Sequence, residues 1–137
     1  MSYLLDTNVI SELARSSPDA NVVAWADRLP PETVHISALT LGEIRKGVES
    51  LKDGALRRRL EPWLEHGLSN WFENRILPID AAVADCWGSL LAQMGRSVPA
   101  IDSLLAATAL SHGLDLATRN TKDFQFPGLN IVNPWAA

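Results

Sequence analysis

Short apolar runs alternate with longer segments of helical periodicity along this chain, and that alternation limits the possible folds more than any other feature. The runs at 3–5, 33–37, 75–78, 114–118 and 129–132 have the length and the apolar or β-branched content of strands. Helical spacing recurs in Val9, Ile10, Leu13 and Ala14, in Val22, Val23, Trp25 and Ala26, and in Val83, Trp87, Leu90, Leu91 and Met94. It recurs again in Ile101, Leu104, Leu105, Thr108 and Ala109. Parallel strands need crossovers of about a dozen or more residues, most simply a helix. The order therefore predicts an α/β fold, a largely parallel central β-sheet flanked on both faces by α-helices. With 137 residues, 47% of them hydrophobic, there is material for one core, and one domain over 1–137 is expected.

Local signals set the boundaries. Asp6-Thr7-Asn8 is a polar turn from strand to helix, Pro30-Pro31 ends the second helix, and Pro99 opens a helix that stops near His112-Gly113. Thr40 and Glu43 have the spacing of a capping box, which predicts Thr40 as an N-cap and puts Glu43 in the first turn. A helix over 55–70 is expected to break or kink at Pro62, and Asp80 to cap the helix carrying Val83.

Composition removes several classes of function. The chain reaches Asp6 without the basic-then-apolar pattern of a signal peptide, and no apolar run approaches the roughly 20 residues that span a bilayer. A cytoplasmic protein is expected, with no membrane partner and with the lone Cys86 buried or half-buried. The net charge of −4 argues against holding nucleic acid by bulk electrostatics, so such a role needs local charge. Acidity also suits carboxylates gathered around cations, or a surface kept for a basic partner.

In open parallel sheets, ligands collect at the carboxyl ends of the strands. Asp6 ends the first strand, Glu43 follows the second, and Asp123 lies in the turn after the strand with Leu116 and Thr118. Asp102, near the start of the helix feeding that strand, reaches the same edge if its helix packs there. Each acid also has an ordinary role as a cap, a first-turn acid or a turn former. Convergence on one edge favours a site. Carboxylates without His or Cys suit Mg²⁺ or Mn²⁺ rather than Zn²⁺. One or two such ions, about 3.5–4 Å apart, serve phosphodiester hydrolysis by activating water. His35, His66 and His112 show no ligand spacing, and this chemistry does not require them.

Four motifs then carry a resemblance. Leu4-Leu5-Asp6-Thr7-Asn8-Val9-Ile10-Ser11-Glu12-Leu13 is similar to the opening motif of PIN domains, especially the VapC and FitB-like toxins. Leu41-Gly42-Glu43-Ile44-Arg45-Lys46-Gly47 resembles their second motif. Pro99-Ala100-Ile101-Asp102-Ser103-Leu104-Leu105-Ala106-Ala107-Thr108-Ala109 resembles the third, and Ala117-Thr118-Arg119-Asn120-Thr121-Lys122-Asp123-Phe124 the fourth. All occur in family order and span essentially the whole chain. The resemblance implies a PIN-like fold and a Mg²⁺- or Mn²⁺-dependent endoribonuclease, with one or two ions per site and products bearing 5′-phosphate and 3′-hydroxyl ends. It implies Asp6, Glu43, Asp102 and Asp123 as catalytic, metal-binding acids, with Thr7, Asn8 and Thr118 supporting them. Asn120 belongs to the same supporting set, and it stands where some relatives carry a further acid. A small VapB-like antitoxin blocking the acidic groove, an RNA substrate and a homodimer are the partners implied.

Arg119 and Lys122 flank Asp123 and are candidates for substrate contact. The run Arg57-Arg58-Arg59 is a solvated helix face or a contact for RNA or antitoxin. Trp25, Trp63, Trp71 and Trp87 fit apolar helix faces as core or interface residues, whereas Trp135 has no assigned role. Aspartate-nucleophile phosphatases place a second Asp two residues after the first, and Asn8 occupies that position here. A catalytically silent PIN scaffold that binds RNA or a protein is the other alternative, and the intact acidic quartet argues against it.

Overall fold

Strand β1 (Tyr3–Leu5) is the axis on which the molecule is built. In the computed structural model, which describes residues 1–136, it lies at the centre of a five-stranded sheet. The other strands are β2 (Val34–Ser37), β3 (Ile76–Leu77), β4 (Asp115–Ala117) and β5 (Ile131–Val132). Their order is β3-β2-β1-β4-β5 and every pair is parallel, as the alternation of runs predicts. Pairing covers less than the apolar runs: only 76–77 of the run 75–78 and 131–132 of the run 129–132 join the sheet.

Alternation of side chains along the strands divides the core in two. Leu5 and Ala117, opposite each other in register, face one side with Val34 and Ile36. That side is covered by α1 (Thr7–Leu13), α2 (Ala20–Asp27), α3 (Ala38–Glu49) and α4 (Gly54–Pro62). After Pro62 the helix loosens into a π-helical stretch, Trp63–Leu68, before α5 (Ser69–Phe72), which is the predicted break at Pro62. Leu4 and Leu116 face the other side, against α6 (Ala81–Met94) and α7 (Ala100–His112). Ala106, Ala107 and Ala109 on α7 are fully buried, and their small side chains let α7 lie close to the sheet. Among the described residues, no helix is long and apolar enough to cross a membrane. Cys86 is a free, half-buried thiol, as expected.

The start of α3 differs from the expected capping box. Ser37, the last residue of β2, is the N-cap, and its hydroxyl accepts the Leu39 N–H at 3.0 Å. Thr40 lies inside the helix, fully buried, with its hydroxyl oxygen unpartnered. The strand runs straight into the helix, so the cap forms at the strand's own end and Glu43 moves to the second turn. Asp80 does cap α6, accepting the Val83 N–H at 3.0 Å.

Two buried polar contacts brace the loops beside β1 and α7. Glu12, only 7% exposed, accepts the Asp19 N–H at 2.8 Å and pairs with Arg15 at 3.2 Å, closing the turn between α1 and α2. Trp87 Nε1 donates to Ser103 Oγ at 2.9 Å, and Ser103 donates to the Ala100 carbonyl at 2.9 Å, which pins the first turn of α7 against α6.

The revised cap makes a sharp prediction. Ser37→Ala is expected to destabilise the fold by about 1 kcal/mol through loss of the α3 cap. Thr40→Val, which removes an unpartnered buried hydroxyl, is expected to be neutral or stabilising. Urea unfolding of both variants measures this, and a loss at Thr40 with none at Ser37 would restore the capping box.

Candidate active site

The carboxyl ends of β1, β2 and β4 and the first turn of α7 bring four acids to one edge of the sheet. Asp6 follows β1 directly and is 7% exposed. It is also the N-cap of α1, which is its ordinary role. One carboxylate oxygen, Oδ1, accepts the Thr7 N–H at 2.7 Å. The other, Oδ2, accepts the Thr118 hydroxyl at 2.8 Å and the Asn8 amide at 3.4 Å. Both oxygens are thereby oriented, and the donors come from both sides of the β1–β4 junction.

The supporting residues form one connected network. Thr7 donates its hydroxyl to Glu43 Oε1 at 2.7 Å, which ties the second turn of α3 to the start of α1. Asn8 also donates to Thr118 Oγ1 at 3.4 Å and accepts the Arg119 N–H at 3.4 Å. Asn120 contributes through its backbone: its N–H donates to Thr118 Oγ1 at 3.0 Å and its carbonyl accepts the Asp123 N–H at 3.0 Å. The β4 loop is thus folded back so that Asp123, exposed in the turn Thr121–Phe124, faces the other acids.

Electrostatics registers the convergence. Burial is the main reason the Asp6 carboxyl sits above the ordinary aspartate range; its hydrogen bonds from Thr118 and Thr7 oppose this, and the charges of Glu43 and Asp123 add to it. Asp102 is also raised, first by burial and then by repulsion from Asp123, Asp6 and Glu43. All four acids are therefore within mutual influence. None of the four acids has an ion-pair partner among the described residues, so their repulsion is not relieved by a direct salt bridge.

The space beside the acids matches a hard divalent cation in donor chemistry, being walled by carboxylate and hydroxyl oxygen. Among the described residues, no group of three or more His, Cys, Asp or Glu side chains is already arranged to hold a metal ion. Mg²⁺ is commonly held by one or two carboxylates and keeps several waters, so an open set of acids still suits it where a closed cage is absent.

The remaining candidates divide. Lys122 lines a cleft of about 160 Å³ with Asp102 and Asp123, and Arg96, which sequence reasoning passed over, lines it too. The Arg119 guanidinium lies over Trp135, 5.3 Å from the centre of its ring. Arg57 is committed to Glu61 and Glu49, joining α4 to α3, while Arg59 lines a second cleft that reaches Thr7 and Glu43. His35 lies in β2 away from this edge, and burial holds its imidazole below the ordinary range.

Asp102 offers the cleanest electrostatic test, because everything acting on its carboxyl raises it. A raised acid contributes its full stability below the ordinary aspartate range, and the contribution is lost as pH rises through the raised value. In EDTA, Asp102→Asn is therefore expected to gain in melting temperature relative to wild type between about pH 4 and pH 7. A difference that stays flat over that window would show that the Asp102 carboxyl is not raised by burial or by its neighbours.

Comparison with known proteins follows the same lines. A family model described as PIN domain matches residues 3–126. The VapC ribonuclease Y4jK of Sinorhizobium fredii is 39% identical over 135 residues, covering 96% of this chain and 96% of its own. Toxin FitB of Neisseria gonorrhoeae is 42% identical over 135 residues, covering 96% of this chain and 97% of its own. The crystal structure of FitAcB from the same organism superimposes with a TM-score of 0.89 at 41% identity, covering 98% of this chain and 99% of that one.

Proposed function

The chain belongs to the PIN-domain family, and from that premise we propose that it is a metal-dependent endoribonuclease, the toxin of a VapBC-like toxin–antitoxin pair. The observation that carries this reading is the Asp6 carboxylate, buried at the end of β1 and oriented by Thr7 and Thr118 while three further acids act on the same space. Asp6, Glu43, Asp102 and Asp123 are the residues that would hold Mg²⁺ or Mn²⁺, as one or two ions. When bound, such an ion supplies activation of the attacking water and neutralises charge at the scissile phosphodiester.

The chain's own contributions are positional. Thr118 and the Thr7 N–H fix the direction of both Asp6 oxygens, and the Thr7 hydroxyl sets the rotamer of Glu43. Lys122 and Arg96 stand beside Asp102 and Asp123, where they would meet the phosphates of an RNA strand approaching the acids. These local cations answer the net charge of −4, which gives no general attraction for nucleic acid.

Two clefts support an antitoxin as partner. An apolar cleft of about 410 Å³ is walled by Leu13, Trp25, Trp63, Leu68 and Trp71. It shares Ala14 and Trp63 with a cleft of about 260 Å³ that opens onto Thr7 and Glu43. An apolar segment lying there would bring an Arg or Lys to Asp6 and Asp102 and compete with the cation. A homodimer could use the face of α6 that exposes Ala84, Gly88 and Ala92, and sedimentation velocity measures it.

Asp6→Asn is expected to abolish Mn²⁺-dependent RNA cleavage with its circular dichroism unchanged, and Thr118→Val to slow cleavage about 10- to 100-fold. Mn²⁺ at roughly 100-fold above its Kd should stabilise wild type by about 2.7 kcal/mol and Asp6→Asn much less. Near-normal cleavage by pure Asp6→Asn, or equal Mn²⁺ shifts in both proteins, would sink the assignment. A wild type that binds RNA but never cleaves it would support the silent scaffold.

A further inference from the structure

Four of the nine arginines are committed within the fold. Arg15, Arg45 and Arg57 pair with glutamates, and Arg75 is locked onto the carbonyls of Pro31, Val34 and Trp71. Arg119 is exposed and, like Arg28, Arg58, Arg59 and Arg96, makes no ion pair among the described residues; what sets it apart is that it follows directly on the residue that holds Asp6. Its backbone N–H donates to Asn8 Oδ1, and Asn8 donates in turn to Asp6 Oδ2. One side chain therefore separates the Arg119 backbone from the Asp6 carboxylate.

Trp135 supplies the other half. Its N–H donates to Asn133 Oδ1 at 3.0 Å, its carbonyl accepts the Asn21 amide at 2.9 Å, and its ring packs at the margin of the core. With its backbone tied at both points and its ring packed against the core, Trp135 offers a platform, and the guanidinium lies over it at 5.3 Å. Stacking orders a long cationic side chain while leaving its N–H donors free, which a carboxylate partner would not. Arg119 makes no ion pair with any of the four acids among the described residues, so its donors are not consumed in neutralising them.

We propose that Arg119, positioned by Trp135, is a phosphate-binding subsite for the RNA strand next to the acidic cluster. The proposal rests on the ribonuclease reading and extends it to a substrate contact. Arg119 touches the strand; Trp135 acts through Arg119 as a positioning residue.

The test uses the full chain and a fluorescein-labelled, mixed-sequence single-stranded RNA of about 20 nucleotides, a length that covers a site of several phosphates. Cleavage is followed in Mn²⁺, and binding in EDTA by anisotropy over a salt series. Arg119→Ala is expected to raise KM about 10-fold with kcat within about 2-fold, and to lower the slope of log affinity against log salt by about 0.7. Trp135→Ala should raise KM about 3-fold, Trp135→Phe less, and the double variant should match Arg119→Ala rather than the product of the two. Circular dichroism checks the fold, and the phenylalanine variant keeps the test valid if removal of the ring disturbs it. Unchanged KM and salt slope in Arg119→Ala, with wild type cleaving normally, would overturn the subsite and leave the nuclease assignment standing. If wild type does not cleave, the nuclease reading fails, and the salt slope in EDTA still decides the subsite. An Arg119→Ala protein that loses only inhibition by a protein partner would likewise overturn it.

Discussion

The hydrogen bond from the Thr118 hydroxyl to the Asp6 carboxylate joins positions 112 residues apart, and the rest of the site is arranged around it. It is possible because β1 and β4 are neighbours in parallel register, with Leu5 opposite Ala117, so that the next residue of each strand emerges at the same edge. Thr118 is fully buried, and its hydroxyl also accepts the Asn120 N–H and the Asn8 amide. A threonine there supplies one donor and two acceptor positions. All are used, which is why a single side chain can fix an acid, a strand-to-helix turn and the loop that carries Asp123.

This arrangement gathers negative charge against an energetic gradient. Burial and mutual repulsion raise Asp6 and Asp102, and only the hydrogen bonds to Asp6 oppose that trend. A fold that keeps such a cluster holds it at a cost in stability, which a divalent ion would relieve were it to bind the native state alone. The alanine-rich inner face of α7 and the Trp87–Ser103 bond serve the same end, since they set how near Asp102 comes to the sheet edge. The packing of α7 thereby bears on the spacing of the acids.

The cations are distributed by the same logic. Those needed to hold helices together are paired with glutamate, as Arg57 is with Glu49 and Glu61. Those at the site are left with free donors: Lys122 and Arg96 on the wall beside Asp102 and Asp123, and Arg119 ordered by an aromatic ring. An acidic protein can meet a polyanion in this way, through a few placed charges rather than a general field.

Strand and helix order, the parallel sheet, the cap at Asp80 and the acids at strand ends were all legible in the sequence, because each depends on local periodicity or on chain direction. The four motifs likewise named Asp6, Glu43, Asp102 and Asp123 without any coordinates. The cap of α3 was not legible: Ser37 and Thr40 are both competent caps, and only the point where β2 leaves the sheet chooses between them. Nor could the sequence pair Trp135 with Arg119, set Arg57 apart from Arg59, or single out Arg96, since these depend on which surfaces the helices bring together. Local signals determine which elements form and in what order. The contacts that turn four separate acids into one electrostatic unit arise only when distant elements pack, because a carboxylate's environment is set by its neighbours in space rather than along the chain.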